Sequence, residues 1–291
     1  MQPAPAHSLP YTSLETLTAK GVKTVGSNAL RRCAALTSVS MPAATTVGDF
    51  AFGYNALLKT ANLPAATVIG AGAFFGCLSA LTSVSLPAAT AIEDNAFSFC
   101  AAFASVNLPK AATIGKYAFS YCTALASADL PAATAIGAYA FRSCVALTSV
   151  NLPAAADIGE GAFAGGCAAL ASINLPAATD IGANAFQGCA ALASANLPAA
   201  MDVGTSAFRG CAALESLTLG TTIPTLVATV FYNAGKDTSE GFTIYVPDGA
   251  AKTALEAEIA TAGSDWYKAL KDTSMNGIYR GKYKEGVAVT Q

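Results

Sequence analysis

The apolar and polar positions of this chain repeat with a period of 22 or 23 residues. The shared pattern is I-G-x-x-A-F-x-x-C-x-A-L-x-S-x-x-L-P-A-A-T-x, with one clear copy starting at Ile136 and the next at Ile158. The glycine of the pattern recurs at nine places, one of which is a glutamate: Gly26, Gly48, Gly70, Glu93, Gly115, Gly137, Gly159, Gly182 and Gly204. A fixed period of this length predicts a solenoid, in which each repeat forms one coil and stacks on the next.

Each repeat contains the signals of one strand and one turn. Residues 147–152 alternate apolar and polar side chains, which indicates a short strand with one buried face, and Pro153 ends it because proline has no N–H to donate. Gly137 permits a tight turn, and a short helical or 3₁₀ turn is expected to bury Phe141. The predicted fold is α/β, a right-handed solenoid of about nine to ten coils with short parallel strands and short helical or 3₁₀ turns.

The chain divides into three regions. Residues 1–13 carry three prolines and no repeat, so we expect a flexible leader. Residues 14–232 form the predicted solenoid, whose degenerate first and last copies act as caps. Residues 233–291 are expected to add a small C-terminal cap with a strand at 243–247, a helix reaching Ala262 and a tail containing Trp266. The stretch from Gly277 onward fits either a capping hairpin or a linker to another domain.

The motif, as it stands at residues 114–131, resembles the repeat of the BspA-like leucine-rich-repeat proteins. The resemblance covers about residues 14–232 and continues into the strand, helix and Trp266 of the end segment. Most repeats here lack one residue between the proline and the isoleucine, and the chain is unusually rich in alanine. The resemblance implies a leucine-rich-repeat fold. It also implies a bacterial protein of the cell surface or extracellular space that adheres to host or microbial proteins or glycans.

Composition and end segments narrow the list of partners. The leader has no apolar run of the length that a signal peptide needs, and no segment of the chain reaches the apolar length of a membrane span. A cytosolic protein and an exported one whose signal peptide has been removed are both compatible with the leader, and the family resemblance favours the exported one. The net charge is −2 and the pI about 5.4, so no basic stripe exists for phosphate neutralisation. Nucleic acid is therefore not an expected partner.

The chain provides little for catalysis, metals or cofactors. The single histidine, His7, lies in the leader, so histidine activation of a nucleophile is not expected. The adjacent acids Glu93 and Asp94 lie on a repeat turn, where a solvated turn is the favoured interpretation over acid–base use. No Cys-x-x-Cys pair and no Gly-Lys-Ser/Thr phosphate loop occur. We therefore predict no enzyme, no metal site and no cofactor.

Eight cysteines share one slot of the repeat, and Asn55 is the one clear substitute. Stacking places neighbours in this column about 4.8 Å apart, within disulfide reach, but in-register side chains point the same way and give poor disulfide geometry. We expect reduced structural thiols, and Asn55 must find a hydrogen-bond partner. The column consists of Cys33, Cys77, Cys100, Cys122, Cys144, Cys167, Cys189 and Cys211.

Two surfaces are candidate ligand sites. The first is a set of aromatic residues at turn positions where other repeats have Gly, Ser or Asn, because grouped exposed aromatics mark interaction sites. It comprises Phe50, Tyr54, Phe75, Phe99, Tyr117, Tyr121 and Tyr139. The second is the outward strand face, rich in hydrogen-bonding groups, for which a plain solvated sheet is the competing interpretation. It comprises Ser105, Asn107, Ser127, Asp129, Ser149, Asn151, Ser172 and Asn174.

The expected function is a non-catalytic module for cell-surface adhesion or protein interaction. Its partner would be a host or microbial protein or a glycan. The alternative is a structural spacer that presents another domain and has no ligand of its own.

Overall fold

The repeats stack as parallel coils, each contributing one longer and one shorter strand. The computed structural model describes residues 13–78, 80–238, 241–271 and 283–289. The longer strands, called the first ladder, are β1 (Thr16–Thr18), β3 (Ser38–Ser40), β5 (Thr60–Asn62), β7 (Ser83–Ser85), β9 (Ser105–Asn107), β11 (Ser127–Asp129), β13 (Ser149–Asn151), β15 (Ser172–Asn174), β17 (Ser194–Leu197) and β19 (Ser216–Leu219). The shorter strands, called the second ladder, are β2 (Thr24–Val25), β4 (Thr46–Val47), β6 (Val68–Ile69), β8 (Ala91–Ile92), β10 (Thr113–Ile114), β12 (Ala135–Ile136), β14 (Asp157–Ile158), β16 (Asp180–Ile181), β18 (Asp202–Val203) and β20 (Thr225–Leu226).

The two ladders differ in continuity. The second ladder is one parallel sheet of ten strands, which counts ten coils, numbered 1 to 10 from β2 to β20. The first ladder is interrupted between β7 and β9 and between β13 and β15. The second interruption falls where the repeat is one residue longer, and Val84 and Val150, on the strands beside the gaps, are only half-buried. The inserted residue between β13 and β15 therefore coincides with a break in the longer strands, whereas the one between β5 and β7 does not, and the shorter strands stay in register throughout.

The connecting segment is not the helical or 3₁₀ turn expected from the sequence. It consists of consecutive β-turns, such as the one closed by the Ala140 N–H on the Gly137 carbonyl at 3.2 Å. Alternate amides instead donate to the next coil, as Phe141 does to Ala162 at 2.7 Å. A helix would direct every amide along its own chain. The alternating pattern of amide donors is favoured because it joins neighbouring coils by backbone hydrogen bonds.

The repeated glycine serves close approach between coils. A Cβ added at Gly137 would lie 2.6 Å from the carbonyl carbon of Gly115, and the same conflict recurs at Gly159 and Gly182. Gly137 begins the tight turn expected of it, but its φ is not positive, so close approach between coils and not the turn is what requires glycine there. The first copy, Gly26, has no coil before it, and a Cβ there would meet nothing within 4 Å.

A column of phenylalanine rings runs through the core. Neighbouring rings are stacked with centroids 5.1–5.9 Å apart and interplanar angles of 2–19°. All are essentially inaccessible to solvent. This confirms that each repeat's phenylalanine lies between its equivalents. The column is Phe52, Phe74, Phe97, Phe119, Phe141, Phe163, Phe186, Phe208 and Phe231.

The cysteine column lies beside these rings, and all eight residues are buried and reduced. Seven of the thiols donate a hydrogen bond to the carbonyl of the core phenylalanine of the preceding coil, as Cys122 does to Phe97 at 3.1 Å. Asn55 takes the same role, its Nδ2 donating to the Leu30 carbonyl at 2.8 Å. The slot therefore needs a small hydrogen-bond donor, which explains why asparagine can replace cysteine there.

The C-terminal segment closes the open end of the stack. Strand β21 (Phe242–Val246) extends the first ladder beyond β19, and β22 (Tyr283–Val289) pairs with β21 in parallel. Helices α1 (Gly249–Ala260) and α2 (Asp265–Leu270) lie between these strands in the sequence. Trp266 packs its ring against Phe231 and donates to the Pro224 carbonyl at 3.1 Å. Of the unsettled regions, residues 1–12 and 277–282 lie outside the described ranges.

Candidate functional site

The seven aromatic residues singled out from the sequence form one connected surface, called here the aromatic ridge. Phe75 contacts Phe50, Tyr54 and Phe99 edge-on or tilted, with centroids 5.3–6.1 Å apart. The ring of Phe99 stacks on Tyr121 at 4.8 Å, and Tyr117 stacks on Tyr139 at 5.1 Å. Tyr54 is 38% exposed and Phe99 39%, whereas the other five are half-buried. The ridge crosses coils 2 to 6.

Six of the seven ridge residues have a backbone conformation that bulky side chains rarely adopt. Their φ angles lie between 51° and 62°, in the left-handed region. Each is the third residue of a β-turn, a place normally taken by Gly or Asn. A non-glycine residue in this region costs about 1–2 kcal/mol. The six are Phe50, Tyr54, Phe99, Tyr117, Tyr121 and Tyr139.

Glycines in the following coil make room for three of these rings. A Cβ on Gly72 would lie 2.5 Å from the Phe50 ring, and one on Gly161 would lie 2.3 Å from the Tyr139 ring. The Tyr54 ring leaves somewhat more space, 3.3 Å, above Gly76. These rings therefore lie along the stack over the next coil instead of projecting freely into solvent.

Arginines stand at both ends of the ridge. The guanidinium carbon of Arg31 lies 5.2 Å from the Phe50 centroid and 5.0 Å from that of Tyr54. Arg32 lies 5.3 Å from the Tyr54 centroid. At the other end, Arg142 lies 5.8 Å from the Tyr121 centroid and 5.6 Å from that of Tyr139. Arg142 therefore joins the two stacked ring pairs, and the ridge is continuous from coil 1 to coil 6.

One tyrosine of the ridge is tied to an acid in the next coil. The Tyr139 hydroxyl donates a hydrogen bond to Oε1 of Glu160. This bond, together with partial desolvation, raises the pKa of the Tyr139 phenol. Tyr139 is therefore a neutral donor at physiological pH, and its ring is fixed at the far edge of the ridge.

The second candidate surface, the strand face, is divided by the gap in the first ladder. Strands β9, β11 and β13 align Ser105, Ser127 and Ser149 in register. On the same sheet Asn151 donates from Nδ2 to Oδ1 of Asp129 at 2.7 Å. The remaining members, Ser172 and Asn174, belong to β15, which begins another sheet, while Asn107 pairs with Asp129 on the first. Three of its eight members make side-chain hydrogen bonds along the face, Asp129 and Asn151 to each other and Asn174 as the acceptor from Asn196 at 2.7 Å.

A shallow groove of about 470 Å³ follows the second ladder in coils 6 to 10. Its floor is formed by glycines, and three exposed carboxylates lie in register along it, on Asp157, Asp180 and Asp202. Asp180 accepts a hydrogen bond from Thr179 at 2.7 Å, and Asp202 accepts one from Thr225. This part of the stack is therefore acidic, in contrast to the arginine-flanked ridge.

Sequence reasoning missed the arginines, Glu160 and the acidic groove. The repeat spacing did contain a signal for one of the arginines, because Arg32 occupies the slot of Tyr54 one repeat earlier. For the left-handed φ of the ridge residues, the sequence offered only an indirect signal, the glycines and asparagines in the same slots of other repeats. In the part of the chain that the structure describes, no three His, Cys, Asp or Glu side chains are grouped as a metal site requires. Neither of the two helices has the length and apolar character needed to cross a bilayer.

The coils, ladders and phenylalanine column define a leucine-rich-repeat solenoid. The chain matches the family model of the BspA type leucine rich repeat region in six copies, over residues 6–80, 45–165 and 112–238. It therefore belongs to the BspA-type leucine-rich-repeat family. A comparison with curated proteins finds no match.

Solved structures of leucine-rich-repeat proteins are similar to it. A leucine rich cell surface protein of Faecalibacterium prausnitzii A2-165 is 24% identical, covering 71% of this chain and 79% of its own, with a TM-score of 0.36. A leucine-rich repeat protein of Bacteroides ovatus is 22% identical, with coverages of 82% and 80% and a TM-score of 0.42. The leucine-rich repeat protein of T. pallidum is 21% identical, with coverages of 80% and 86% and a TM-score of 0.38.

Proposed function

We propose that this chain is a non-catalytic interaction module of the cell surface or extracellular space, binding a host or microbial protein or glycan through the aromatic ridge. The observation that carries the proposal is the backbone conformation of six ridge residues. Other coils place Gly or Asn at most of these turn positions, where left-handed φ costs little, and Arg32, Ser143 and Ser206 are the exceptions. Conformational strain that a stable scaffold could have avoided is typical of functional sites.

The composition of the ridge supports the same role. Aromatic side chains supply most of the binding energy at protein interfaces, and arginine is the cation most enriched there. The ridge combines both in one continuous strip, and it is already rigid because its rings pack on one another. A rigid surface loses little side-chain entropy on binding. Adhesion and exported location agree with the role that the family resemblance implies.

The experiment compares two matched variants on a surface plasmon resonance panel of matrix proteins and glycans. The first, Phe99→Asn/Tyr121→Asn/Tyr139→Asn, removes three rings but introduces a residue that tolerates left-handed φ. Relief of strain offsets part of the lost packing, so we expect the variant to fold. Its affinity for the panel member bound by the wild type should fall at least tenfold.

The control variant is Ser105→Ala/Ser127→Ala/Ser149→Ala on the strand face, and its affinity should stay within twofold of the wild type. Loss of binding in the control alone would assign the site to the strand face. A wild-type protein that binds no member of the panel would favour the structural spacer, which presents another domain and needs no ligand.

A further inference from the structure

The nature of the partner can be inferred from the charges at the two ends of the ridge. Arg31 and Arg32 stand at one end and Arg142 at the other. A guanidinium near an aromatic ring still presents its planar fork of N–H groups, which can bind a carboxylate through two hydrogen bonds. The two ion pairs found among the described residues, Lys252–Glu256 and Lys268–Asp265, lie in the C-terminal cap.

Hydrogen bonds within the protein leave much of this donor capacity unused. Arg31 donates one bond, from Nη1 to Oδ1 of Asn28 at 3.1 Å. Its Nε is buried and has no hydrogen-bond partner in the part of the chain that the structure describes. An external carboxylate would therefore bind the Nη groups of the guanidinium, of which one is already bonded to Asn28.

The middle of the ridge is apolar. Between the arginines lie the rings of Phe75 and Phe99. Two leucines that follow ridge residues closely in the sequence are exposed, Leu57 at 51% and Leu78 at 53%. Of the acids in coils 2 and 4, Asp49 and Asp94 accept hydrogen bonds from the backbone of the next coil at 2.9 and 2.7 Å, and Glu93 is exposed. Arginines therefore flank a largely aromatic centre, and the Glu160 carboxylate at the Arg142 end is engaged by the Tyr139 hydroxyl.

The repeat sets the distance between the two positive ends. Coil 1 and coil 6 are five steps apart, and parallel strands stack at about 4.8 Å, which gives roughly 24 Å. An extended chain advances about 3.3 Å per residue, so about seven residues cover this length.

The stacked geometry of the rings disfavours a sugar. Phe99 and Tyr121 are inclined by only 4°, and Tyr117 and Tyr139 by 11°, so their faces cover one another and their edges point outward. A pyranose needs an accessible ring face. An extended peptide instead needs apolar contact and charge complementarity, both of which the ridge provides.

Resting on the proposed function of the ridge, we propose that its partner is an extended polypeptide segment with carboxylates at both ends, about seven residues apart, and apolar side chains between them. The acidic groove of coils 6 to 10 repels such a segment, which directs it to the ridge.

The test uses fluorescence anisotropy with a labelled nonapeptide, Asp-Asp-Leu-Ser-Val-Ser-Leu-Asp-Asp. Its comparison is the composition-matched scramble Leu-Val-Asp-Asp-Ser-Asp-Asp-Leu-Ser, with cellohexaose as a competing glycan. The wild-type protein should bind the first peptide at least tenfold more tightly than the scramble, and added salt should weaken the binding.

Arg31→Gln/Arg32→Gln/Arg142→Gln should lower this affinity at least tenfold. The matched control, Arg209→Gln/Lys236→Gln/Lys252→Gln, removes the same charge elsewhere, including an arginine stacked on Tyr232 at 4.9 Å, and should stay within twofold. A charge-preserving variant, Arg32→Lys/Arg142→Lys, keeps the test decisive if the triple arginine variant does not fold. It should lose affinity severalfold because lysine lacks the planar fork.

Equal affinity for the scramble, or equal loss in the control variant, would overturn the proposed partner. Displacement of the peptide by cellohexaose would identify the ridge as a glycan site instead. If the peptide does not bind but a panel protein still requires the Phe99, Tyr121 and Tyr139 rings, the proposed function stands and this partner class is wrong. If neither binds, both proposals fail.

Discussion

Single residues in this solenoid have roles that a repeat pattern conveys only in part. The cysteine slot could be read from the sequence as a column of small buried side chains. The hydrogen bond from each thiol to a carbonyl of the preceding coil could not be predicted, because it depends on how far neighbouring coils are offset along the chain. Likewise, Phe99 and Tyr121 could be selected as aromatic substitutes at turn positions, but their left-handed φ emerges only when the turns are built.

The thiols should be nearly unreactive in the native protein. Burial raises the pKa of Cys122 to about 12, and it also raises the pKa of Cys100, Cys144 and Cys211. The thiolate is the reactive form, and at pH 9 a thiol with a pKa of about 12 is only about 0.1% ionised. Iodoacetamide should modify at most one cysteine per native molecule at this pH and all eight after denaturation, as counted by mass spectrometry.

The same shifts give a pH dependence of stability. Because the folded pKa values are raised, this contribution is complete below the unfolded cysteine pKa of about 8.5 and is lost as the pH rises from there toward 12. Urea midpoints should therefore fall above pH 9. Rapid alkylation of several native cysteines, or a midpoint that rises with pH in this range, would contradict the buried column.

At the scale of elements, the repeat spacing predicts strand positions well and connections poorly. The alternation in residues 147–152 correctly places β13 (Ser149–Asn151). The expected helical turn after Gly137 was wrong because short-range periodicity cannot distinguish a helical turn from β-turns whose alternate amides bond to the next coil. The gap between β13 and β15 depends on how an extra residue is accommodated, which spacing does not reveal.

The repeated glycine offers a matched pair of substitutions. Gly137→Ala would place a Cβ 2.6 Å from the backbone of the coil below, so neighbouring coils must separate. We expect a loss of about 2 kcal/mol or more in the free energy of unfolding, in the range of other overpacked sites. Gly26→Ala, in the same slot of coil 1, meets nothing within 4 Å and should change it by less than about 0.5 kcal/mol.

Urea denaturation of the two glycine variants measures the difference. Equal destabilisation would mean that the glycine is required by the turn itself. A tolerated Gly137→Ala would mean that the coils are not packed as closely as the structure shows.

At the scale of the whole molecule, the parts combine into a rigid scaffold that displays chemistry along its length. The phenylalanine column and the continuous second ladder fix the positions of the coils. The side chain at each turn therefore lies at a defined position along the stack. Arginines and aromatic rings occupy coils 1 to 6, and carboxylates line coils 7 to 9. The sequence supplied the aromatic set because it departs from the repeat consensus. The separation of arginines in coils 1 to 6 from the carboxylates of coils 7 to 9 became visible only when the coils were aligned in space.

The central claim is that the aromatic ridge, not the strand face, is the binding surface. Hydroxyl-radical footprinting of the complex with the tightest binder from the panel of matrix proteins and glycans tests it most directly, because tyrosine and phenylalanine are readily oxidised and their labelling is resolved by peptide. We predict that labelling of Tyr54, Phe99 and Tyr121 falls at least threefold on binding, while labelling of Tyr245 and Tyr267 in the C-terminal cap is unchanged. Unchanged labelling of Tyr54, Phe99 and Tyr121 in a saturated complex would contradict the account.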